Sequence, residues 1–245
     1  MKTIDKSKIK LVAMDLDGTL TQHKQHMSPR CRETLVALGK KYKLMMVGAG
    51  QVMRIFNQIE QFPIDVIGNY GLQYATYNAE TGALDMQRNE TLPQGDKESI
   101  EAKVTMLREK HGLTEFAGDN VEYHPSGCLT FPCLGTKAQQ ADKLAFDPDR
   151  SKRRKFYAEV CETFPDYCVF VGGSSSFDMA PKPYNKFYAL DLYCKEHGFA
   201  HDEVLFIGDD YGTGGNDESV YLSDIPFLCI DDYRTFPEKV QFLLD

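Results

Sequence analysis

An apolar run at residues 11–14, Leu-Val-Ala-Met, empties into Asp15-Leu16-Asp17-Gly18-Thr19-Leu20-Thr21. A short apolar run ending in a polar, glycine-containing turn reads as a buried strand whose end opens into a loop. Along extended chain, residues two apart project to one side, so Asp15 and Asp17 can face one small volume. Two carboxylates crowded there repel unless a cation lies between them or one holds a proton. Mg²⁺ suits such a place, because it is a hard ion that takes few carboxylates, keeps waters and bridges to phosphate oxygens. Gly18 lets the backbone approach a ligand, and the exposed N–H groups with the Thr19 hydroxyl can cradle an oxyanion. One aspartate is then placed to attack phosphorus and the other to shuttle a proton. A lone Asp-Gly would be read as an ordinary turn; the whole octapeptide from Met14 to Thr21 favours the chemical reading.

The chain has 245 residues, enough for one large α/β domain or a core with an inserted second domain. A formal net charge of −8 argues against a broad nucleic-acid footprint. A small phosphorylated substrate is compatible with it, since a cation and local lysines reverse the sign within one pocket. No stretch approaches the roughly 18–20 apolar residues of a membrane span. The opening residues carry charges with no apolar region behind them, so no signal peptide is expected. The seven cysteines are scattered and contain no Cys-x-x-Cys pair, which predicts reduced thiols and a cytoplasmic protein.

Periodicity predicts a helix over 29–41 opened by Ser28-Pro29, a strand over 43–47, a helix over 52–61 and a strand over 64–67. That alternation is the pattern of a doubly wound parallel sheet, which binds ligands at the carboxyl ends of its strands. The pattern then changes. Strands at 72–77 and 84–88 flank a turn, a polar helix covers 97–110, and strands at 121–124 and 129–133 flank Pro125-Ser126-Gly127. A helix over 150–163 and strands at 168–171 and 176–179 complete an α+β unit. It is expected to occupy 81–183, between core segments 1–80 and 184–245. Alternation resumes with a helix over 185–197, strands at 204–207 and 225–230, and an amphipathic helix over 235–244.

Gly208-Asp209-Asp210 repeats the logic of the first motif, since it too follows an apolar run. Asp209 is expected as a further Mg²⁺ ligand, with Asp210, Asn216 and Asp217 near enough in sequence to orient water or the ligands. Lys186 opens a helix, where a lysine near a phosphoryl group would neutralise charge as transfer proceeds. The basic run at 152–155, Lys-Arg-Arg-Lys, is read as a solvated helix face. His23 and His26 are read as idle loop residues.

Asp-Leu-Asp-Gly-Thr-Leu-Thr resembles the first motif of the haloacid dehalogenase superfamily, and nearly the whole chain is similar to the eukaryotic-type phosphomannomutases. The residues that carry the likeness are that motif, Gly172-Gly173-Ser174-Ser175-Ser176-Phe177-Asp178, Lys186, and Gly208-Asp209 with Gly214-Gly215-Asn216-Asp217. The resemblance implies a Rossmann-like α/β core with an inserted α+β cap of the C2b type. By the same likeness Asp15 is the nucleophile, Asp17 the acid/base, and Asp15, the Asp17 carbonyl and Asp209 the Mg²⁺ ligands. Substrate contacts are expected from Gly18, Thr19, Gly50, Lys24, Ser176 and Asp178. The related mutases pair through their caps, and a homodimer of this kind carries over as an expectation.

Departures weigh on the activity. Mutases of this kind hold the far phosphate of a bisphosphorylated sugar with arginines, whose planar fork binds phosphate bidentately. The matching positions here carry Lys24, Pro125, Thr136 and Lys143. Gly50 stands where a serine would meet the phosphoryl group, leaving a backbone N–H or Gln51 to make that contact. Without a distal clamp, an aspartyl-phosphate is more readily hydrolysed than returned to a sugar. The sequence is therefore read as a Mg²⁺-dependent phosphatase of small phosphorylated metabolites, with a phosphomannomutase-type mutase as the alternative and a non-catalytic phosphosugar-binding protein third.

Overall fold

The computed structural model describes residues 4–23 and 25–245. Strand β1 (Leu11–Met14) is buried along its length. Helix α1 (Pro29–Leu38) follows, capped by Ser28, whose Oγ accepts the Cys31 N–H, with Pro29 in the first turn where no backbone donor is needed. Then come β2 (Lys43–Val47), α2 (Val52–Gln58), β3 (Asp65–Gly68) and the hairpin β4 (Gln73–Asn78) with β5 (Ala83–Asn89). A second unit contains α3 (Lys97–His111), β6 (Glu122–Tyr123), β7 (Leu129–Pro132), α4 (Gln140–Phe146), α5 (Ser151–Arg154), α6 (Tyr157–Thr163), β8 (Tyr167–Phe170) and β9 (Ser176–Pro181). The chain returns through α7 (Lys186–His197), β10 (Val204–Gly208), α8 (Glu218–Tyr221), β11 (Phe227–Cys229), α9 (Phe236–Lys239) and α10 (Gln241–Leu244).

Seven strands among the described residues form the first sheet, in the order β11–β10–β1–β2–β3–β4–β5. The first five run parallel, while β4 and β5 are antiparallel. Both faces of the parallel part are covered, because β1 sends Val12 and Met14 to one apolar cluster and Leu11 and Ala13 to the other. That arrangement explains why its strands read as unbroken apolar runs rather than alternating ones. In the second unit the antiparallel sheet β6–β7–β9–β8 turns Leu129, Phe131, Phe177 and Met179 toward Val104 and Leu107 of α3. Each such buried side chain contributes about 1.5–3 kcal/mol. Among the described residues no helix is long and apolar enough to cross a membrane, and the seven cysteines are free thiols.

Three expectations move. One unit runs to Asn89 and takes in Asn185–Gly212 and Asp217–Asp245; the other is Glu90–Tyr184 with Thr213–Asn216. The break expected near residue 80 falls instead after Asn89, because β5 pairs with β4 along its length and so extends the first sheet. The helix expected over 150–163 breaks between α5 and α6, while Asp147 accepts the Lys152 and Arg153 N–H groups at the start of α5. The last helix likewise splits into α9 and α10.

Candidate active site

The carboxyl ends of β1 and β10 lie side by side, because the two strands pair in register from Leu11 with Val204 to Met14 with Ile207. One more bond, from the Asp15 N–H to the Ile207 carbonyl at 2.9 Å, carries the pairing into the loop. Asp15 and Gly208-Asp209 therefore emerge together, which two local motifs so far apart in the chain could not do unaided. Helix α7 begins beside them: Asn185 Oδ1 caps it by accepting the Tyr188 N–H, and Lys186 follows at its first position.

Lys186 is fully buried, and its ammonium lies 2.7 Å from Asp15 Oδ1 and 2.7 Å from Asp217 Oδ1. Asp217 is also fully buried, and its Oδ2 accepts the N–H groups of Asp209 and Asp210 at 3.1 and 3.0 Å. Asp209 Oδ1 accepts the Thr19 hydroxyl at 2.8 Å. Oxygens of Asp15, Asp209 and Asp217 lie within 4.8 Å of one another. Three carboxylates thus share one buried ammonium, an excess of negative charge in a place of low polarity.

The consequences show in the ionisation of the group. Burial, joined by Asp217 and Asp209 and opposed by Lys186, pushes the Asp15 carboxyl well above the ordinary carboxylate range. Burial and Asp217 push Asp209 up to about 6, against the pull of the Thr19 hydrogen bond. Burial would draw the Lys186 ammonium down, yet Asp15 and Asp217 outweigh it and hold its pKa raised. A hard divalent cation among these all-oxygen donors would relieve that excess, so the residues fit Mg²⁺.

The structure gives several of the expected residues further contacts. Thr19 is fully buried and gives its hydroxyl to Asp209 rather than to an oxyanion cradle. The Asp17 carboxylate lies 3.1 Å from Arg54 Nη2 and 2.7 Å from Gln58 Nε2. Asn216 directly precedes Asp217 in the chain and is the last residue of the segment Thr213–Asn216 grouped with the second unit. Asp210 is buried, and its carbonyl accepts the Asp217 N–H at 3.0 Å, which closes the loop that holds Asp217. Lys24 lies outside the described residues.

On the second unit's sheet, Thr130 and Ser176 give their hydroxyls to Asp178 Oδ1, each at 3.3 Å, and His124 Nε2 lies 3.0 Å from Thr130 Oγ1. Ser176 and Asp178 alternate with the buried Phe177 and Met179, so strand period alone puts both on the polar face. His124 was missed because it precedes a turn and has no periodic signal. Arg54 was missed for a similar reason: on the sequence it is one more polar residue of α2.

Gly18 has φ +101°, and a Cβ there would come within 2.6 Å of Asp209 Cγ. Gly18→Ala is therefore expected to cost about 1–3 kcal/mol of stability from strain and to displace Asp209. Urea unfolding reads the first effect, and a Mg²⁺ titration followed by thermal shift reads the second as a loss of metal stabilisation.

An α/β core bearing this aspartate–lysine–aspartate cluster is that of an enzyme of the haloacid dehalogenase superfamily, whose common chemistry is phosphoryl transfer. A family profile described as eukaryotic phosphomannomutase matches residues 31–227, and the chain belongs to that family. The phosphomannomutase of Saccharomyces cerevisiae is 27% identical over 245 residues, covering 94% of this chain and 89% of that protein. The phosphomannomutase of Schizosaccharomyces pombe is 27% identical over 228 residues, covering 86% and 85%. Among solved structures, an N-terminally truncated Plasmodium falciparum IMP-nucleotidase superposes with a TM-score of 0.66 at 14% identity, covering 97% of this chain and 71% of that one. A Thermoplasma acidophilum protein gives 0.56 at 13% identity, covering 97% and 99%. At such identities the structural likeness is one of fold.

Proposed function

We propose that this chain moves a phosphoryl group on small phosphorylated sugars through an aspartyl-phosphate on Asp15, with Mg²⁺, as a phosphosugar mutase of the phosphomannomutase type. The observation that carries the chemistry is the buried Lys186 ammonium 2.7 Å from both Asp15 and Asp217. Kinship over most of both chains supports the mutase, which therefore stands ahead of the phosphatase that the sequence analysis placed first.

An Asp15 carboxylate oxygen bonds to phosphorus as the bond from phosphorus to the sugar oxygen breaks. Asp17 protonates that leaving oxygen and, in the return step, takes the proton of the incoming hydroxyl. Lys186 favours the ionised form of Asp15 against its burial and orients it, and Asp217 in turn fixes Lys186. Mg²⁺ held by Asp15, Asp209 and the Asp17 carbonyl would neutralise phosphoryl charge. Ser176 and Asp178 are assigned to the sugar hydroxyls, with His124 and Thr130 on the same polar face. The free thiols accord with a cytoplasmic setting.

A second reading, hydrolysis, is favoured by the positions where the mutases use arginine. Lys143 Nζ donates to the Thr136 carbonyl at 3.2 Å, and the Thr136 hydroxyl donates to Asp119 at 3.0 Å, so neither presents a bidentate fork. The deciding experiment supplies mannose 1-phosphate, Mg²⁺ and a hexose 1,6-bisphosphate, and follows 6-phosphate and inorganic phosphate together. Conversion that needs the bisphosphate and releases little phosphate supports the mutase. Phosphate released in step with substrate loss assigns hydrolysis. Absence of both products over a panel of sugar phosphates, with a ligand-induced rise in Tm, would mark a binding protein.

A further inference from the structure

The loop after β2 holds an unusual exchange of side-chain space. Gly50 is not in the left-handed region, so its backbone makes no demand for glycine. What occupies the side-chain space there is the guanidinium of Arg54: a Cβ on Gly50 would come within 2.6 Å of the Arg54 Cζ. Arg54 sits in the first turn of α2, four residues after Gly50, and long helical side chains lean toward the N-terminus. The guanidinium therefore fills the volume in which a small side chain at residue 50 would lie.

That guanidinium is held from two directions. Its Nη2 lies 3.1 Å from Asp17 Oδ2, and its Nη1 donates to Gln58 Oε1 at 2.8 Å. Gln58 closes the ring by donating Nε2 to Asp17 Oδ1 at 2.7 Å and to Thr21 Oγ1 at 3.0 Å. Gln58 is buried, while the Arg54 side chain keeps 40% of its surface open. Among the described residues Asp17 and Gln58 are its hydrogen-bonded side chains, which leaves three of its five N–H donors for a ligand.

We propose that Arg54 binds an oxygen of the transferring phosphoryl group from the space vacated at Gly50, and that the same guanidinium sets the position of Asp17. A planar fork can grip the anion with one edge and the aspartate with another, which a hydroxyl cannot do. One side chain thus joins the acceptor of the phosphoryl charge to the residue that moves the proton. The inference rests on the phosphoryl-transfer reading of Asp15.

The test compares wild type, Arg54→Ala, Arg54→Lys and the double variant Gly50→Ser/Arg54→Ala, with orthovanadate in the presence of Mg²⁺ as the binding probe. Thermal unfolding without ligand checks that each variant is folded. Arg54→Ala is expected to weaken orthovanadate binding about 10- to 100-fold and to lower kcat/KM by at least as much. The double variant is expected to regain about tenfold, because the freed volume accepts a serine hydroxyl. Arg54→Lys keeps the charge without the fork and should fall between wild type and Arg54→Ala. Orthovanadate binding by Arg54→Ala equal to wild type overturns the proposal alone. A wild-type protein that neither binds orthovanadate nor forms an acid-stable, hydroxylamine-sensitive phosphoenzyme overturns the phosphoryl-transfer reading, and this inference with it.

Discussion

Asp15→Asn is expected to abolish turnover of every phosphorylated substrate the wild type accepts, by about 10⁴-fold or more, since removing a catalytic nucleophile costs on the order of 10⁶-fold. The amide keeps the volume and the hydrogen bond to Lys186 but offers no anionic oxygen to phosphorus. Folding should survive. Burial already pushes the Asp15 carboxyl well above its ordinary range, so its charge is a burden on the folded state in the absence of a cation. Lys186 retains Asp217 as a partner. The metal-free variant is therefore expected to unfold at the wild-type Tm or higher, and to gain less Tm from added Mg²⁺ than wild type does. Turnover near the wild-type rate in Asp15→Asn would remove Asp15 as the nucleophile.

Arg153→Met is expected to destabilise the second unit by about 3–5 kcal/mol, the cost of leaving one member of a buried ion pair without its partner. Neither Arg153 nor Asp147 has any exposed side-chain surface, and Nε lies 2.8 Å from Asp147 Oδ2. Arg153 Nη1 also donates to the carbonyls of Gly172 at 2.5 Å and Ser176 at 2.8 Å, so it ties the loop before β9 in place. The loss should reach the proposed function through Ser176 and Asp178 of β9, the strand that this loop leads into. The double variant Asp147→Leu/Arg153→Met, with no charge left unpaired, should recover part of the loss. Urea unfolding of the three proteins reads both effects.

A pH dependence follows from the same pair. Burial alone would raise the Asp147 carboxyl, but the Arg153 guanidinium and the N–H groups of Arg153 and Lys152 outweigh it and hold it below its ordinary value. A carboxyl depressed in the folded state stabilises above its unfolded pKa, about 3.9, and loses that stabilisation as pH falls through the folded value. The stability gap between wild type and Asp147→Asn should stay constant from neutral pH to about 5 and close below about 3.9. A gap that widened on acidification would contradict the assignment.

The sequence by itself determined the parts whose signal is local. An apolar strand emptying into Asp15-Leu16-Asp17-Gly18 announces both a buried strand and paired carboxylates, because strand period and turn chemistry act over a few residues. The same holds for Gly208-Asp209, for the capped start of the helix carrying Lys186, and for Ser176 and Asp178 on one face of β9. The alternation of helices and apolar strands was likewise legible, since both faces of a parallel sheet must be covered.

Only the tertiary structure decided which of these groups meet, and what they do on meeting. Thr19 faces Asp209 because β1 and β10 are neighbours, and Asp217 holds Lys186 together with Asp15. The strand β5 joins the first sheet because β4 offers it an edge, a choice the hairpin pattern leaves open. Arg153 and Asp147 became a buried pair although a Lys-Arg-Arg-Lys run reads as a solvated face, since desolvation is offset only where a partner is folded against it. Arg54 shows the limit most plainly. Its guanidinium meets Asp17 across 37 residues of chain and occupies the space beside Gly50, and volume shared between side chains is a property of packing that no local pattern encodes.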